Sequence, residues 1–313
     1  MKNSLRGKFL TAFVLLTALI LPVSSAGPAG DREPVPVQER RVVSGDVDLF
    51  VRVAGKLGSG KIVIALNGGP GVSSRYMTDL EAVAGDNLAL VTFDQRGVGR
   101  STTPAPQVTN FTFEKYLEDI EAIRKSLGVK SFSILGHSWG GILALKYALA
   151  FPDRVDSLIL IGNGPLKDAG LKEYLGKMRK RVIELMQLGV IDRKLERHAD
   201  IYPAYFSDPR FKPQVELLPD LNEQVMNMTL EAAAGYDLTD DLSRINKRAL
   251  ILWGMDDPIG LDVATATKTA LSGARVELIV IKGCGHFWQE KPQEFMDHIR
   301  AFLLPAPTSV RTS

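Results

Sequence analysis

Short apolar runs recur along the chain, and each of them ends in glycine or polar residues. The runs are rich in Val, Ile and Leu and too short for helices, which is typical of strands buried on both faces. The first two are separated by "SGD", a hairpin signal. The predicted strands are Arg41–Val43, Asp48–Val53 and the apolar parts of "KIVIALNGG", "NLALVTFDQRG", "SFSILG", "VDSLILIGN", "RALILWG" and "RVELIVIKG".

Helical patterns lie between several of these runs. From Phe113 to Leu127 the apolar residues recur three or four positions apart, which predicts an amphipathic helix. Two further helices are predicted over Trp139–Ala150 and Pro292–Leu304. Strands that alternate with helices indicate an α/β domain whose mostly parallel sheet is covered on both faces.

The range Gly164–Asp241 breaks this alternation. It carries no strand pattern and contains helical stretches such as "LKEYLGKMRKRVIELMQLG", which predicts a helical insertion into the α/β core. We therefore divide this part of the chain into a core at 38–164 and 242–304, a helical insertion at 165–241, and a tail at 305–313.

The N-terminus has the pattern of a targeting segment. Three basic residues precede an apolar run of 13 residues, Phe9–Leu21, and small residues follow at Ser24 and Ala26. This pattern predicts a signal peptide at 1–26, and the Pro/Gly-rich stretch 27–37 is then a linker. We expect an exported protein, periplasmic or secreted. The alternative is a membrane anchor left uncleaved, although the run is shorter than the about 20 residues that span a bilayer.

Composition narrows the class of function. The chain has 313 residues, of which 45% are hydrophobic and 24% charged, as in soluble globular proteins. Its formal net charge of +2 gives no electrostatic case for nucleic acid. As partner we expect a small-molecule or short-peptide substrate. Cys284 is the single cysteine, which excludes an intramolecular disulfide. No cluster has metal-ligand spacing, and we expect neither a metal nor a cofactor. The oligomeric state stays open.

The sequence "GHSWG", Gly136–Gly140, fits the pattern G-x-S-x-G between a predicted strand and a predicted helix. In that setting the serine sits on a strained turn with its side chain exposed above the sheet, and the glycines avoid collisions. The helix N-terminus also favours developing negative charge. We therefore interpret Ser138 as a nucleophile rather than as part of a plain glycine-rich turn.

A serine nucleophile needs a histidine base. His137 adjoins the serine on the tight turn and is expected to point away from it. His198 belongs to the charged insertion, and His298 to the last helix. His286 follows a strand in the glycine-rich loop "GCGH", which makes it the best candidate.

The base in turn needs an acid, which in this chain order falls between serine and histidine. Asp256 and Asp257 end the strand before His286, and both fit the spacing. Asp94 precedes the serine, so we expect it to pair with Arg96 and brace the loops around the site.

An oxyanion needs backbone donors. One is expected from the amide of Trp139, directly after the serine. The other is expected from the loop "NGGPG", Asn67–Gly71, where glycines let amides face the site without side chains in the way. We favour Gly69 for this role.

These motifs together resemble the α/β-hydrolase fold and, within it, the proline iminopeptidase-like serine hydrolases. The resemblance rests on "NGGPG", "DQRGVGRS", "GHSWGG", "GMDD" and "GCGH" in the family's order, over about residues 40 to 304. It implies a mostly parallel eight-stranded sheet flanked by helices, with a helical cap at the insertion. It also implies that Asp257 is the acid, because the family's acid lies three residues after the glycine of that motif.

The chain departs from the family in its substrate-binding residues. Asn67 stands where the oxyanion motif usually has histidine, and Pro258 where some members add a glutamate. Glu223 and Glu231 are the candidates for holding a substrate amino group, without a supporting motif. The resemblance implies an aminopeptidase, and the alternatives are an esterase or amidase on small hydrophobic acyl substrates and a non-catalytic binding protein. Candidates for an apolar pocket are Trp139, Trp288, Tyr202, Tyr205 and Phe206.

Overall fold

The structure is a computed structural model that describes residues 35–58, 60–214 and 221–304. The signal peptide predicted at 1–26, the tail predicted at 305–313 and the linker up to residue 34 lie outside the described residues, so these assignments stay predictions. The first strand begins at Val37, which is the last residue that the sequence assigns to the linker. Among the described residues, no helix is long and apolar enough to cross a membrane.

Eight strands form one sheet in the order β1-β2-β4-β3-β5-β6-β7-β8. The pairs β1–β2 and β2–β4 are antiparallel, and the other neighbouring pairs are parallel. This confirms the predicted mostly parallel eight-stranded sheet. The strands are β1 Val37–Ser44, β2 Val47–Ala54, β3 Lys61–Leu66, β4 Leu88–Phe93, β5 Phe132–His137, β6 Val155–Ile161, β7 Arg248–Gly254 and β8 Arg275–Ile281.

Helices flank the sheet, and the three predicted from periodicity end within one residue of their predicted limits. A ten-residue 3-10 helix at Ser74–Val83 was missed, because its pattern is too short to separate from a loop. The α-helices are α1 Phe113–Ser126, α2 Trp139–Ala150, α3 Asp168–Gln187, α4 Glu223–Ala232, α5 Leu261–Ala270 and α6 Pro292–Leu303.

The core lies on both faces of the sheet. Along β3, Ile62 and Ile64 face one apolar cluster, whereas Val63 and Ala65 face the other, as the alternation of a strand requires. Helices α1 and α2 cover the first face, and Ser74–Val83 and α6 cover the second. Both faces are therefore apolar, which explains why the strands are near-continuous hydrophobic runs.

The insertion between β6 and β7 contains α3, a 3-10 turn at His198–Tyr205, and α4. We call the described part of residues 165–241 the cap. It has a small apolar cluster of its own, which joins α3 to the segment that follows it. The buried members of that cluster are Met178, Val182, Leu185, Ile191 and Ala204.

Candidate active site

Ser138 lies on a strained turn between β5 and α2. Its φ of 53° makes it the one non-glycine residue with positive φ in the described part of the chain. Such backbone strain persists only where surrounding contacts hold it. Here the Ser138 amide donates to the carbonyl of Ile161 at 3.1 Å, and its own carbonyl accepts from the amides of Gly141 at 2.9 Å and Gly164 at 3.0 Å.

The glycines around Ser138 are required by close backbone approaches. A Cβ on Gly136 would collide with the backbone of Gly140, and a Cβ on Gly140 would collide with the carbonyl of Leu66 on β3. Without side chains at these positions, the first turn of α2 can lie directly against the sheet. The backbone therefore explains the sequence pattern that singled out the serine.

His286 and Asp257 meet at the carboxyl edge of the sheet. His286 Nδ1 lies 2.8 Å from Asp257 Oδ2, and both side chains are buried, with exposures of 3% and 0%. The other carboxylate oxygen accepts from the Ile259 amide at 2.8 Å. A carboxylate on Nδ1 selects the tautomer in which Nε2 can take a proton. The pair therefore has the arrangement of a base and its orienting acid.

The structure distinguishes the two neighbouring aspartates that spacing alone left open. Asp257 contacts His286, whereas Asp256 turns to the cap and accepts from Ser207 Oγ at 2.6 Å. The His286 amide also reaches the cap, donating to the Tyr205 carbonyl at 2.7 Å. The ring of Tyr205 lies 5.6 Å from that of His286. The cap therefore helps to hold the candidate base.

Gly162 belongs to the site, although the sequence analysis missed it. It follows β6 with φ of +47°, and a Cβ there would lie 2.9 Å from Asp257 Oδ2 and 3.1 Å from His286 Nδ1. Only glycine leaves room for the pair and also adopts this backbone conformation readily. The signal was present in the sequence as a glycine directly after the run "VDSLILI".

The loop Asn67–Gly71 lies against the serine. A Cβ on Gly68 would lie 2.9 Å from Ser138 Cβ, so the loop can approach only as glycine. The Gly68 amide donates to Tyr76 Oη at 2.6 Å and is thereby engaged. Gly69 and Trp139 both line the cavity that contains Ser138. Both residues therefore lie at the wall of this cavity, and their role as oxyanion donors stays a prediction.

Asn67 shapes this loop from within. Its buried Nδ2 donates to the carbonyls of Val72 at 2.6 Å and Gly68 at 3.0 Å. Gln95 Nε2 donates in turn to the Asn67 carbonyl at 2.9 Å and to its Oδ1 at 3.1 Å. The position where the family usually has histidine is thus taken by a residue that bonds to its own loop and to Gln95.

The predicted pairing of Asp94 with Arg96 is wrong. Arg96 points to α1 and binds both oxygens of Asp119, with Nη2 to Oδ1 at 2.7 Å and Nε to Oδ2 at 2.8 Å. Asp94 accepts from the amide and hydroxyl of Ser74 and from the Arg100 amide, all at 2.8 Å. The two side chains diverge to different elements. Each is buried and braces a loop beside the site through its own partners.

A cavity of about 170 Å³ joins these groups beneath the cap. Ser138, His286, Gly69 and Trp139 form part of its lining on the core side. The cap contributes mainly apolar and tyrosine side chains. Those from the cap are Pro165, Leu171, Tyr174, Leu175, Tyr205, Leu221, Met226, Leu230, Ala233 and Tyr236. An acyl group bound in this cavity would be largely surrounded by apolar surface.

The polar groups of the cap wall are mostly uncharged. Tyr174 and Tyr205 hydrogen-bond to each other, and burial raises the pKa of both, so they stay neutral. Among the described lining residues, Asp168 is the one carboxylate, and its Oδ2 accepts from the Gly235 amide at 3.1 Å. The cavity is therefore lined mainly by neutral groups.

Several residues proposed for substrate contact lie elsewhere. Glu223 and Glu231 are exposed on α4, outside the cavity lining, so the interpretation that they hold an amino group is wrong. Of the pocket aromatics, Trp139 and Tyr205 line the cavity. Phe206 and Trp288 are buried in the second core cluster, with Tyr202 packed against it. The side chain of His198 lies outside the described part of the structure.

No group of three or more His, Cys, Asp or Glu side chains in the described residues is arranged to hold a metal ion. The groups gathered around Ser138 are instead an imidazole, a carboxylate and backbone amides. These groups can transfer a proton and stabilise a negative oxygen.

Comparison with known proteins places the chain in the family that its motifs resemble. Residues 61–292 match the sequence family described as alpha/beta hydrolase fold. The proline iminopeptidase of Lactobacillus delbrueckii subsp. bulgaricus is 30% identical over 288 residues, which cover 83% of this chain and 96% of that protein. The predicted resemblance is thereby confirmed.

Solved structures show the same fold. The crystal structure of proline iminopeptidase from Mycobacterium smegmatis superposes with a TM-score of 0.66 at 21% identity, over 85% of this chain and 97% of that one. A thermophilic esterase from Thermogutta terrifontis superposes with a TM-score of 0.64 at 20% identity, over 85% and 98%. One fold thus carries proteins named as peptidase and as esterase.

Proposed function

Because the chain belongs to the α/β-hydrolase family and is a hydrolase, we propose that it is a serine hydrolase that forms an acyl-enzyme on Ser138. The observation that carries the proposal is the buried His286–Asp257 contact at 2.8 Å beside the cavity that contains the strained serine. A binding protein without catalysis would have no need to keep this strain and this buried pair together.

The proposed reaction has two halves. Ser138 Oγ attacks the substrate carbonyl carbon while His286 Nε2 takes the hydroxyl proton, and Asp257 stabilises the resulting imidazolium. The amides of Gly69 and Trp139 donate to the oxyanion, at the N-terminus of α2. Collapse expels an amine or alcohol, which receives the proton from His286. Water then repeats the sequence on the acyl-enzyme and releases the acid.

For the substrate, we propose a short peptide from which an apolar N-terminal residue is released, as in an aminopeptidase of proline iminopeptidase type. Two observations support this choice. The relative from Lactobacillus delbrueckii carries that name, and the cavity of about 170 Å³ with mainly apolar walls suits a side chain as compact as proline. Asp168 is the carboxylate of the lining that could face a substrate amine.

A second substrate class, esters or amides of small hydrophobic acids, is favoured by a specific observation. The cap lines the cavity with leucine, methionine and neutral tyrosines, and the glutamates of α4 stand outside it. A neutral acyl group needs no charged partner in such a site, whereas a buried ammonium group does.

A fluorophosphonate probe tests the catalytic proposal. We expect the purified protein to be labelled covalently and Ser138→Ala to be unlabelled, because the probe reacts with an activated serine. Ser101→Ala is the matched control, since that serine is also buried but donates to the Asp94 carbonyl. Absence of labelling in the native protein would favour the binding-protein alternative and reject the proposal.

Paired substrates test the substrate class. The kcat/KM for a proline arylamide is compared with that for short p-nitrophenyl esters, using Ser138→Ala as the blank. Turnover of the arylamide supports the aminopeptidase. Ester turnover without arylamide turnover rejects it and leaves the esterase.

A further inference from the structure

His137 is the histidine next to the nucleophile, and the proposed reaction does not use it. The ring is buried and enclosed by aromatic neighbours, with the rings of His286, Trp288 and Phe287 at 4.8, 5.1 and 5.2 Å. Its Nδ1 lies 2.7 Å from Tyr76 Oη, and its Nε2 lies 3.1 Å from the His286 carbonyl. Both ring nitrogens are therefore engaged by other parts of the site.

The partners determine where the protons lie. A carbonyl only accepts, so Nε2 of His137 carries the hydrogen that reaches His286. In the neutral ring, Nδ1 then accepts, and Tyr76 donates its hydroxyl hydrogen to it. The Tyr76 oxygen remains free to accept the Gly68 amide, which lies 2.6 Å away. The three hydrogen bonds run from Gly68 through Tyr76 and His137 to His286, and each donor faces an acceptor.

A neutral His137 agrees with this arrangement. Burial and the neighbouring His286 ring lower the pKa of His137 well below its usual value. A charged His137 would donate to Tyr76 from Nδ1 and displace the hydroxyl hydrogen from its acceptor. It would also place a second positive charge beside His286 when that ring accepts the serine proton.

We infer that Tyr76 and His137 are positioning residues, which fix the oxyanion loop and the base loop relative to Ser138. Gly68 directly precedes the proposed oxyanion donor Gly69, and the His286 carbonyl belongs to the base itself. The turn that carries Ser138 begins at His137, so one network ties together all three parts. The inference rests on the proposed function, because it assigns the network to that reaction.

Tyr76→Phe tests the network by removing one hydroxyl and keeping the buried ring. Because the Gly68 amide loses its acceptor, we expect kcat to fall about 10- to 100-fold with KM unchanged, the scale expected for a misplaced donor. Tyr147→Phe is the matched control, since it removes an equally buried hydroxyl that donates to Glu121 on α1. Its kcat should stay at the native value. Equal kcat values for the two variants would overturn the inference.

A double-mutant cycle tests the connection between the two residues. His137→Gln keeps a donor for the His286 carbonyl but offers no counterpart of Nδ1 to Tyr76. If the residues act as one network, the double variant with Tyr76→Phe should lose no more kcat than the larger single loss. Fully additive losses would show two independent effects and overturn the inference.

Imidazole nitrogen NMR of the native protein decides the proton arrangement without any activity. We expect a neutral His137 with hydrogen on Nε2 at neutral pH. A ring with hydrogen on Nδ1, or a charged ring, would overturn the network even in an active enzyme. If the native protein is neither labelled by a fluorophosphonate nor active on any tested substrate, the proposed function is rejected instead.

Discussion

The two walls of the cavity are built differently. The core wall gathers strand ends and glycine-bearing turns. Its histidine and aspartate are buried, and the groups around Ser138 are held by hydrogen bonds of 2.6 to 3.1 Å. The cap wall is made mainly of apolar side chains and neutral tyrosines on helices with a small apolar cluster of their own. If the proposed function holds, the core carries the chemistry and the cap the choice of substrate.

Two adjacent aspartates show this division on the smallest scale. Asp257 is buried against His286, whereas its exposed neighbour Asp256 bonds to Ser207 of the cap. Two consecutive residues therefore make different kinds of contact: Asp257 contacts His286 within the site, and Asp256 joins the core to the cap.

The largest expected effect comes from exchanging these two carboxylates for amides. Asp257→Asn should lower kcat about 10⁴-fold, because an amide cannot stabilise the imidazolium and favours the wrong tautomer. Asp256→Asn is the matched control and should leave kcat unchanged. Steady-state kinetics on the substrate that the native protein turns over measure both. If kcat falls by a comparable factor in the two variants, Asp256 also serves the reaction, and the distinction between the core contact and the cap contact is wrong.

A smaller effect concerns stability on the core side. Asp79 accepts from Trp288 Nε1 at 3.1 and 3.0 Å, and burial raises the pKa of Asp79 to about 6. Because this folded-state pKa exceeds the unfolded value of about 3.9, the stability that protonated Asp79 contributes is lost as pH rises through about 6. Relative to the native protein, we expect Asp79→Asn to gain about 3 kcal/mol in the free energy of unfolding as pH rises from about 4 to about 8.

Urea unfolding across this pH range measures that gain. The exposed Asp153→Asn is the control and should follow the native protein throughout. A difference between Asp79→Asn and the native protein that does not vary with pH would show that the Asp79 carboxyl does not titrate in this way.

The smallest expected effect lies on the cap side. Leu171 on α3 lines the cavity, and Leu171→Ala should lower kcat/KM for the smallest acyl substrates about tenfold by removing apolar contact. Fluorophosphonate labelling should persist, since the core groups are untouched. Ile183→Ala, at an exposed position on the same helix, should change neither. Loss of labelling in Leu171→Ala would mean that the cap also takes part in the chemistry.

Much of the fold could be predicted from residue pattern alone. Strands buried on both faces have nowhere to place polar residues, so their apolar runs stand out, and the periodic helices α1, α2 and α6 were bounded closely. The 3-10 helix Ser74–Val83 could not be predicted, because so short an element shows no clear periodicity of apolar residues. The need for glycine at position 162 could not be predicted, because the side chains that would collide there, Asp257 and His286, are distant in sequence.

Local pattern and spacing are enough to predict the separate strands, the helices α1, α2 and α6, and the strained turn at Ser138, because each depends on neighbouring residues alone. The eight-stranded sheet and the choice of Asp257 as acid came from the family resemblance. The folded chain was needed to show that Arg96 pairs with Asp119, that Glu223 and Glu231 stay outside the cavity, and that His137 contacts both Tyr76 and the His286 carbonyl. These outcomes depend on side-chain direction and on which distant elements meet. Local periodicity carries no information about either, whereas packing of the whole chain settles both.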